Sequence, residues 1–177
     1  GNVIGGGDWA ADRIVPDCIR AWSTREAVSV RQPESTRPWQ HVLEPLSGYL
    51  WLGASMINDQ DDLDGEPFNF GPDPRQDMTV ADLLKAMAPQ WPGATWQITN
   101  ETASAGREAS HIRLSCDKAL RQLDWYAVMP FPRAVALTLD WYRAWHDGGV
   151  NLHDVTANQI NQYTDMARAA GVAWSCL

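Results

Sequence analysis

The sequence lacks the short signatures by which many self-contained enzymes are recognised. It contains no GxGxxG or GxxGxxG dinucleotide fingerprint, no P-loop, no GxSxG and no HExxH motif. None of its four tyrosines is followed four positions later by lysine, so a Tyr-x-x-x-Lys pair is absent as well. The run from Gly5 to Gly7 lacks the spacing of a phosphate-binding loop, and we interpret it as a tight turn. The sequence therefore offers no recognisable site for a dinucleotide or for hydrolytic chemistry.

Positive charge is also scarce, since the net charge is −8 and only two residues are lysine. This balance argues against general binding to nucleic acids or anionic membranes. A single phosphate pocket needs only a few cations, and the twelve arginines have the planar fork that suits it. No apolar run approaches the roughly 20 residues of a membrane span. The three cysteines show no metal-like spacing, so we expect a reduced, cytoplasmic protein without a metal site.

The apolar spacing predicts a mixed α/β fold with short, scattered strands and one domain over residues 1–177. Helices are predicted near residues 13–24, 42–56, 79–88, 117–123, 131–147 and 156–170, the third and the last with capping boxes at Thr79/Asp82 and Thr156/Gln159. Strands are predicted at residues 3–4, 28–30, 68–70 and 95–99. The regular strand–helix rhythm of a complete doubly wound sheet is missing, as in the irregular lobe of a larger α/β protein. We expect preceding sequence to complete the sheet.

Arg37 is the main candidate for phosphate binding. It ends a polar loop just before a predicted helix, whose N-terminus offers free amide donors and a positive dipole. The alternative is a surface arginine paired with an acidic side chain. Arg31 and Arg107 are further basic candidates, and three arginines facing one cleft would hold a diphosphate. We interpret His41 as a packed or helix-end histidine rather than a catalytic base.

Several stretches, taken together and in order, resemble one family. Residues 1–17, from Gly-Asn-Val-Ile-Gly-Gly-Gly-Asp-Trp to Arg-Ile-Val-Pro-Asp, are similar to the segment after the catalytic Tyr and Lys in CDP-glucose 4,6-dehydratases. Residues 37–50, beginning Arg-Pro-Trp-Gln-His-Val-Leu-Glu-Pro, are close to a hallmark of that subfamily of extended short-chain dehydrogenases/reductases. Phe68 to Pro72, Arg107 to Ala109 and Asp117 to Ala119 continue the match. Two features differ from the pattern of that subfamily. Arg107 stands where the subfamily more often has histidine, and residues 123–127 read Leu-Asp-Trp-Tyr-Ala in place of the usual Leu-Gly-Trp-x-Pro.

The resemblance implies the C-terminal part of an extended Rossmann-type sugar-nucleotide dehydratase, forming its substrate-binding lobe. By position it assigns substrate contacts to Asn2 (phosphates), Ile14, Val15 and Pro16 (base), Arg31 (substrate), Arg37 (diphosphate) and Arg107 (diphosphate or nucleotide). NAD and the catalytic Tyr/Lys pair would belong to an N-terminal half outside this chain, so we expect no catalytic residue here and no turnover by this chain alone. The intact enzyme is expected to be a homo-oligomer that converts CDP-glucose to CDP-4-keto-6-deoxyglucose for deoxysugar and lipopolysaccharide synthesis.

Two other readings of the sequence stay open. The chain could be part of a related sugar-nucleotide epimerase or dehydratase, although the Trp-Gln-His run at residues 39–41 disfavours this. It could also be a non-catalytic nucleotide-binding module, in which case it would bind nucleotide tightly without NAD.

Overall fold

The computed structural model describes residues 2–58, 63–99 and 111–176. In chain order the elements are β1 (Val3–Ile4), α1 (Ile14–Ser23), β2 (Val28–Val30), β3 (Thr36–Arg37), β4 (Gln40–His41), α2 (Leu43–Ile57), β5 (Met78–Thr79), α3 (Val80–Met87), β6 (Trp96–Ile98), α4 (Asp117–Leu123), α5 (Phe131–Asp147) and α6 (Leu152–Ala170). The strands form three separate pairs: β1 with β4 and β2 with β6 in parallel, and β3 with β5 antiparallel. The mixed α/β prediction with scattered strands is confirmed.

Most helix predictions are confirmed to within one or two residues, because their signals are local. The third predicted helix begins where its capping box predicts: the Thr79 side chain accepts from the Asp82 amide, and the Asp82 carboxylate accepts from the Thr79 amide. The helix at residues 117–123 has the predicted bounds. Local side-chain-to-backbone bonds of this kind depend on a few neighbouring residues only.

One predicted strand and the predicted start of one helix are wrong. Residues 68–70 form no strand; the Phe70 carbonyl accepts from Nε2 of the Gln40 side chain at 2.9 Å. The last helix starts at Leu152, capped by the Asn151 side chain, which accepts from the His153 amide. Thr156 lies inside that helix, and its hydroxyl donates to the Leu152 carbonyl at 2.9 Å. Asn151 is the earlier good N-cap, so the helix begins one turn before the predicted box.

The buried apolar residues form two clusters. The larger lies between α1, α3 and α5 and includes Trp22, Leu83, Leu84, Leu139 and Tyr142. The smaller lies under α2 and α4 and is built on Leu63, Phe70, Ala119, Leu123 and Trp125. Four of the ten tryptophans are buried: Trp22, Trp39, Trp91 and Trp125.

Helix α2 carries a buried carboxylate that joins it to two other parts of the chain. Glu44 is 1% exposed, and its Oε1 accepts from the amides of Val128 and Met129 at 2.9 and 2.5 Å. Its Oε2 accepts from the Tyr163 hydroxyl of α6 at 2.9 Å. Burial raises the pKa of Glu44 to about 7, against the lowering by these hydrogen bonds. A single side chain thus joins α2 to α6 and to the segment before α5.

Two glycines of α2 predict opposite effects of the same substitution. A Cβ at Gly48 would lie 2.3 Å from Cδ1 of Phe70, whose ring packs at 4.9 Å from Trp125, whereas a Cβ at Gly53 meets no described atom within 4 Å. We expect Gly48→Ala to lower the free energy of unfolding by about 1–3 kcal/mol through overpacking. Gly53→Ala should raise it by about 0.5–1 kcal/mol, because alanine loses less backbone entropy in a helix. Urea denaturation of both variants measures this, and equal stabilities would contradict it.

Candidate functional site

Arg37 lies in strand β3 and is buried, with 5% of its surface exposed. It is therefore not a surface arginine, as the alternative interpretation had it. Its Nη1 donates to the carbonyl of Thr36 at 2.8 Å, which fixes the guanidinium close to its own strand. The expected position at the helix start is wrong, because strand β4 separates Arg37 from α2. The first amides of α2 therefore do not line the pocket that contains Arg37.

Arg37 lines an open pocket between three segments of the chain. The other lining residues are Pro38, Pro72, Asp73, Pro74, Gln76, Asp77, Ile112, Arg113 and Leu114. Strand β3 reaches β5 through the register of Thr36 with Thr79 and of Arg37 with Met78. On the other side, Thr36 bridges to His111. The pocket is thus assembled by non-local strand pairing.

Arg113 is a second cation in this pocket that the sequence analysis did not single out. Its Nη2 donates to Oδ2 of Asp77, and Oδ1 of the same carboxylate lies 4.0 Å from Nδ1 of His111. The Thr36 hydroxyl and Nδ1 of His111 are 2.5 Å apart. Because Asp77 and Thr36 hold this stretch against β3 and β5, Arg113 and Arg37 share one pocket. The sequence signal was weak, since Arg113 is simply an arginine in a polar stretch.

Of the other proposed substrate contacts, those within the described residues do not line this pocket. Arg31 is exposed after the end of β2 and is not among the pocket's lining residues. The carbonyl of Asn2 accepts from the Gln40 amide at 3.2 Å. In the first turn of α1, Val15 and Pro16 are buried and Ile14 packs on the larger core cluster. Arg107 lies outside the described residues.

The glycine turn after β1 is packed by the chain's own side chains. A Cβ at Gly6 would lie 2.0 Å from Cγ of Trp141, and one at Gly5 would lie 2.8 Å from Cγ1 of Val42. The glycines therefore admit Trp141 and Val42, not the pyrophosphate of a dinucleotide. The tight-turn interpretation is confirmed, and these residues do not fit the phosphate cradle of NAD.

His41 is a buried, neutral histidine. It is 2% exposed, and burial lowers its pKa to about 4. Its Nδ1 accepts from the Leu43 amide at 3.4 Å, which assigns the proton to Nε2, and Nε2 has no hydrogen-bond partner among the described residues. Such a group stays unprotonated near neutral pH. The packed interpretation is confirmed.

The described part of the chain has neither a metal-ligand cluster nor a membrane-spanning helix. No three or more His, Cys, Asp or Glu side chains gather there into a group that could hold a metal ion. None of the helices there is both long and apolar enough to cross a bilayer.

Comparison with known proteins gives one strong sequence match. No family model matches the chain. It is 38% identical over 149 residues to CDP-glucose 4,6-dehydratase of Salmonella typhimurium (strain LT2), a match that covers 84% of this chain and 41% of that enzyme. The chain thus spans well under half the length of this curated relative.

Solved structures give the fold. UDP-glucose 4-epimerase of Stenotrophomonas maltophila matches with a TM-score of 0.66 and 18% identity, over 82% of this chain and 46% of that one. UDP-glucuronic acid 4-epimerase of Bacillus cereus matches with a TM-score of 0.62 and 13% identity, over 81% and 43%. Both of those structures contain bound NAD.

The fold is therefore part of the extended short-chain dehydrogenase/reductase fold of NAD-dependent epimerases and dehydratases. Within that class, the sequence identity places the chain among the homologues of CDP-glucose 4,6-dehydratase. The resemblance carried by residues 1–17 and 37–50 is confirmed.

Proposed function

We propose that this chain forms the substrate-binding lobe, the C-terminal half, of a NAD-dependent sugar-nucleotide dehydratase, and that its ligand is CDP-glucose. The observation that carries the proposal is the buried Arg37 in the wall of a pocket that also contains Arg113. The sequence identity to a CDP-glucose 4,6-dehydratase supports the choice of nucleotide and sugar. The intact enzyme of the proposal is a cytoplasmic homo-oligomer.

A fixed guanidinium is the right group for a diphosphate. The bond from Arg37 Nη1 to the Thr36 carbonyl holds the planar fork in place, so less side-chain entropy is lost when phosphate oxygens bind. Hydrogen bonds from a charged donor to phosphate are stronger than neutral ones. Two carboxylates stand among the described lining residues, and each has an arginine partner: Asp77 pairs with Arg113 and Asp73 with Arg75.

The cofactor belongs elsewhere in this proposal. NAD would take up and return the hydride in such an enzyme, but Trp141 fills the space over Gly6 that a pyrophosphate would need. We therefore assign NAD and the catalytic Tyr/Lys pair to the part of the enzyme outside this chain. What these residues contribute is the position of the sugar nucleotide, which lowers the entropic cost of reaching the reactive geometry. Asn2, Ile14, Val15, Pro16, Arg31 and Arg107 stay as proposed further contacts.

Isothermal titration of this chain with CDP-glucose tests the proposal. Arg37→Ala should weaken binding by about 10–100-fold, the loss of one charge-assisted phosphate contact. Arg168→Ala is the matched control: Arg168 is exposed on α6, where it pairs with Asp165, and should leave the affinity unchanged.

Because Arg37 is buried, Arg37→Lys is included as a variant that keeps the charge but loses the planar fork, and circular dichroism checks that each variant is folded. We expect the lysine variant to bind with intermediate affinity. Equal affinities for the wild-type chain and a folded Arg37→Ala variant would exclude the diphosphate assignment. Tighter binding of UDP-glucose than of CDP-glucose would assign the lobe to a different sugar-nucleotide enzyme.

A further inference from the structure

Asp77 is an acidic residue in the wall of the pocket proposed above for a diphosphate. It lines the pocket together with Arg37 and Arg113, and its Oδ2 accepts a hydrogen bond from Nη2 of Arg113. A carboxylate at a phosphate site repels the ligand and occupies a donor that the ligand could use. The place of Asp77 in this wall therefore needs an explanation other than direct contact with phosphate.

The Asp77–Arg113 pair is open to solvent. The side chain of Asp77 is 34% exposed and that of Arg113 is 56% exposed. Ion pairs of this exposure contribute little to stability, because water screens the charges and two side chains lose rotamer freedom. Hydrogen bonds from a guanidinium to a phosphate are among the stronger ones in proteins, and a diphosphate carries more negative charge than one carboxylate. Arg113 therefore gains free energy by changing its partner when such a ligand arrives.

The segment that carries Arg113 has a second anchor besides Asp77. The Thr36 hydroxyl and Nδ1 of His111 are 2.5 Å apart, and the Ile112 amide donates to the Thr36 carbonyl at 3.4 Å. Thr36 and His111 also form a parallel bridge. These contacts hold the main chain of the segment, so the side chain of Arg113 can leave Asp77 while its segment stays in the pocket wall.

Asp77 does not become a buried unpaired charge when Arg113 leaves it. One third of its side chain is exposed, so water continues to solvate the carboxylate. Its Oδ1 also lies 4.0 Å from Nδ1 of His111, which is half exposed. The cost of separating the pair is therefore small, and an incoming phosphate can meet it.

We propose that Asp77 is an internal competitor of the diphosphate: the ligand takes Arg113 from Asp77, and this competition limits how tightly the pocket holds its ligand. The proposal rests on the diphosphate function proposed for the pocket and names the residue that sets its affinity. No covalent bond changes, because only the hydrogen-bond partner of Arg113 is exchanged. A site limited in this way releases its ligand faster, since affinity differences between related sites lie mainly in the dissociation rate.

Titration calorimetry of this chain with inorganic pyrophosphate and with CDP-glucose tests the exchange. Asp77→Asn keeps the size of the side chain and removes its charge, and it should tighten the binding of both ligands by about 10-fold. Arg113→Ala should weaken binding by about 10-fold. Asp165→Asn is the matched control, because Asp165 forms an exposed pair with Arg168 on α6 and does not line the pocket. This control should leave the affinity unchanged.

A double-mutant cycle separates exchange from simple repulsion. Asp77→Asn should tighten binding about 10-fold when Arg113 is present but only about 3-fold when Arg113 is alanine, because then only the repulsion is removed. Equal tightening in both backgrounds would make Asp77 a repulsive charge and overturn the exchange. Unchanged or weaker binding by an Asp77→Asn variant that circular dichroism shows to be folded would overturn it too, and weaker binding would show that Asp77 positions Arg113.

The two ligands keep this proposal apart from the nucleotide assignment, because pyrophosphate has neither base nor sugar. Pyrophosphate binding that follows the cycle, without binding of CDP-glucose, would support the exchange and exclude the proposed function. Binding of CDP-glucose that Arg37→Ala weakens and Asp77→Asn leaves unchanged would support the proposed function and overturn the exchange. Failure of both the wild-type chain and the Asp77→Asn variant to bind pyrophosphate would also overturn the exchange.

Discussion

Replacing Glu44 by alanine is expected to lower the free energy of unfolding by about 3–5 kcal/mol, the combined cost of unsatisfied buried hydrogen-bond donors and of a cavity in the core. The substitution leaves the amides of Val128 and Met129 without their acceptor and removes the acceptor of the Tyr163 hydroxyl. It also opens a cavity in the core, because Glu44 is only 1% exposed and its side-chain volume is lost. Urea denaturation followed by tryptophan fluorescence measures the loss.

Glu44→Gln is the matched control for this loss. Glutamine keeps an oxygen for the two amides and can donate to the Tyr163 oxygen, while the Tyr163 hydroxyl turns to Ser47 Oγ, 2.9 Å away. We expect this variant to lose about 1 kcal/mol or less at neutral pH. If alanine and glutamine cost the same, the hydrogen-bond network is not what holds α2 in place.

The second large effect is a pH dependence that Glu44 imposes on stability. Its pKa is about 7 in the folded chain against an ordinary value of 4.5, so the folded state holds a proton that the unfolded state has released. The stabilisation is complete below pH 4.5 and is lost as the pH rises through 7. The difference in unfolding free energy between wild type and Glu44→Gln should therefore change by roughly 3 kcal/mol between pH 4.5 and 8, in favour of wild type at low pH.

The difference between the two proteins must be measured, not the wild-type profile alone. Burial lowers the pKa of His41 from 6.5 to about 4, so His41 stabilises the fold above pH 6.5 and that contribution is lost as the pH falls through 4. The two buried groups act in opposite directions over overlapping windows, and the wild-type profile will partly hide both. His41 is present in both proteins and cancels in the comparison. A difference that is flat from pH 4.5 to 8 would show that Glu44 is already ionised in the acidic range.

The sequence predicts the elements whose signals are local and fails where distant residues decide. The capping pair Thr79/Asp82 fixes the start of α3 from four residues, and the helix at residues 117–123 follows from its own apolar spacing. At residues 68–70 the strand-like composition was misleading. The Phe70 carbonyl accepts a hydrogen bond from the side chain of Gln40, 30 positions earlier, and local composition carries no sign of that contact. Tertiary context overrides local propensity at such positions.

The residues of the candidate site also differ in how far the sequence predicts them. Arg37 is recognisable from its motif, but its burial follows from the pairing of β3 with β5, two strands of two residues each. Arg113 reaches the pocket only because Asp77 and Thr36 hold its segment there. These contacts join residues 36, 77 and 113, which no short pattern connects. The sequence places Glu44 in the hallmark run but does not predict its structural role, because that role depends on contacts with residues 128, 129 and 163.

The packing of the glycine turn against α5 also has a consequence for synthesis on the ribosome. The Tyr142 hydroxyl donates to the carbonyl of Asp8 from 134 positions away in the sequence, next to the contact of Trp141 with Gly6. At about 5–20 residues per second, the first strand leaves the ribosome many seconds before its packing partner is made. Until α5 has been made, the turn has only its nearer contacts, those of Gly5 with Val42 and of β1 with β4. The turn is therefore completed in two stages, first against residues 40–42 and only later against Trp141 and Tyr142.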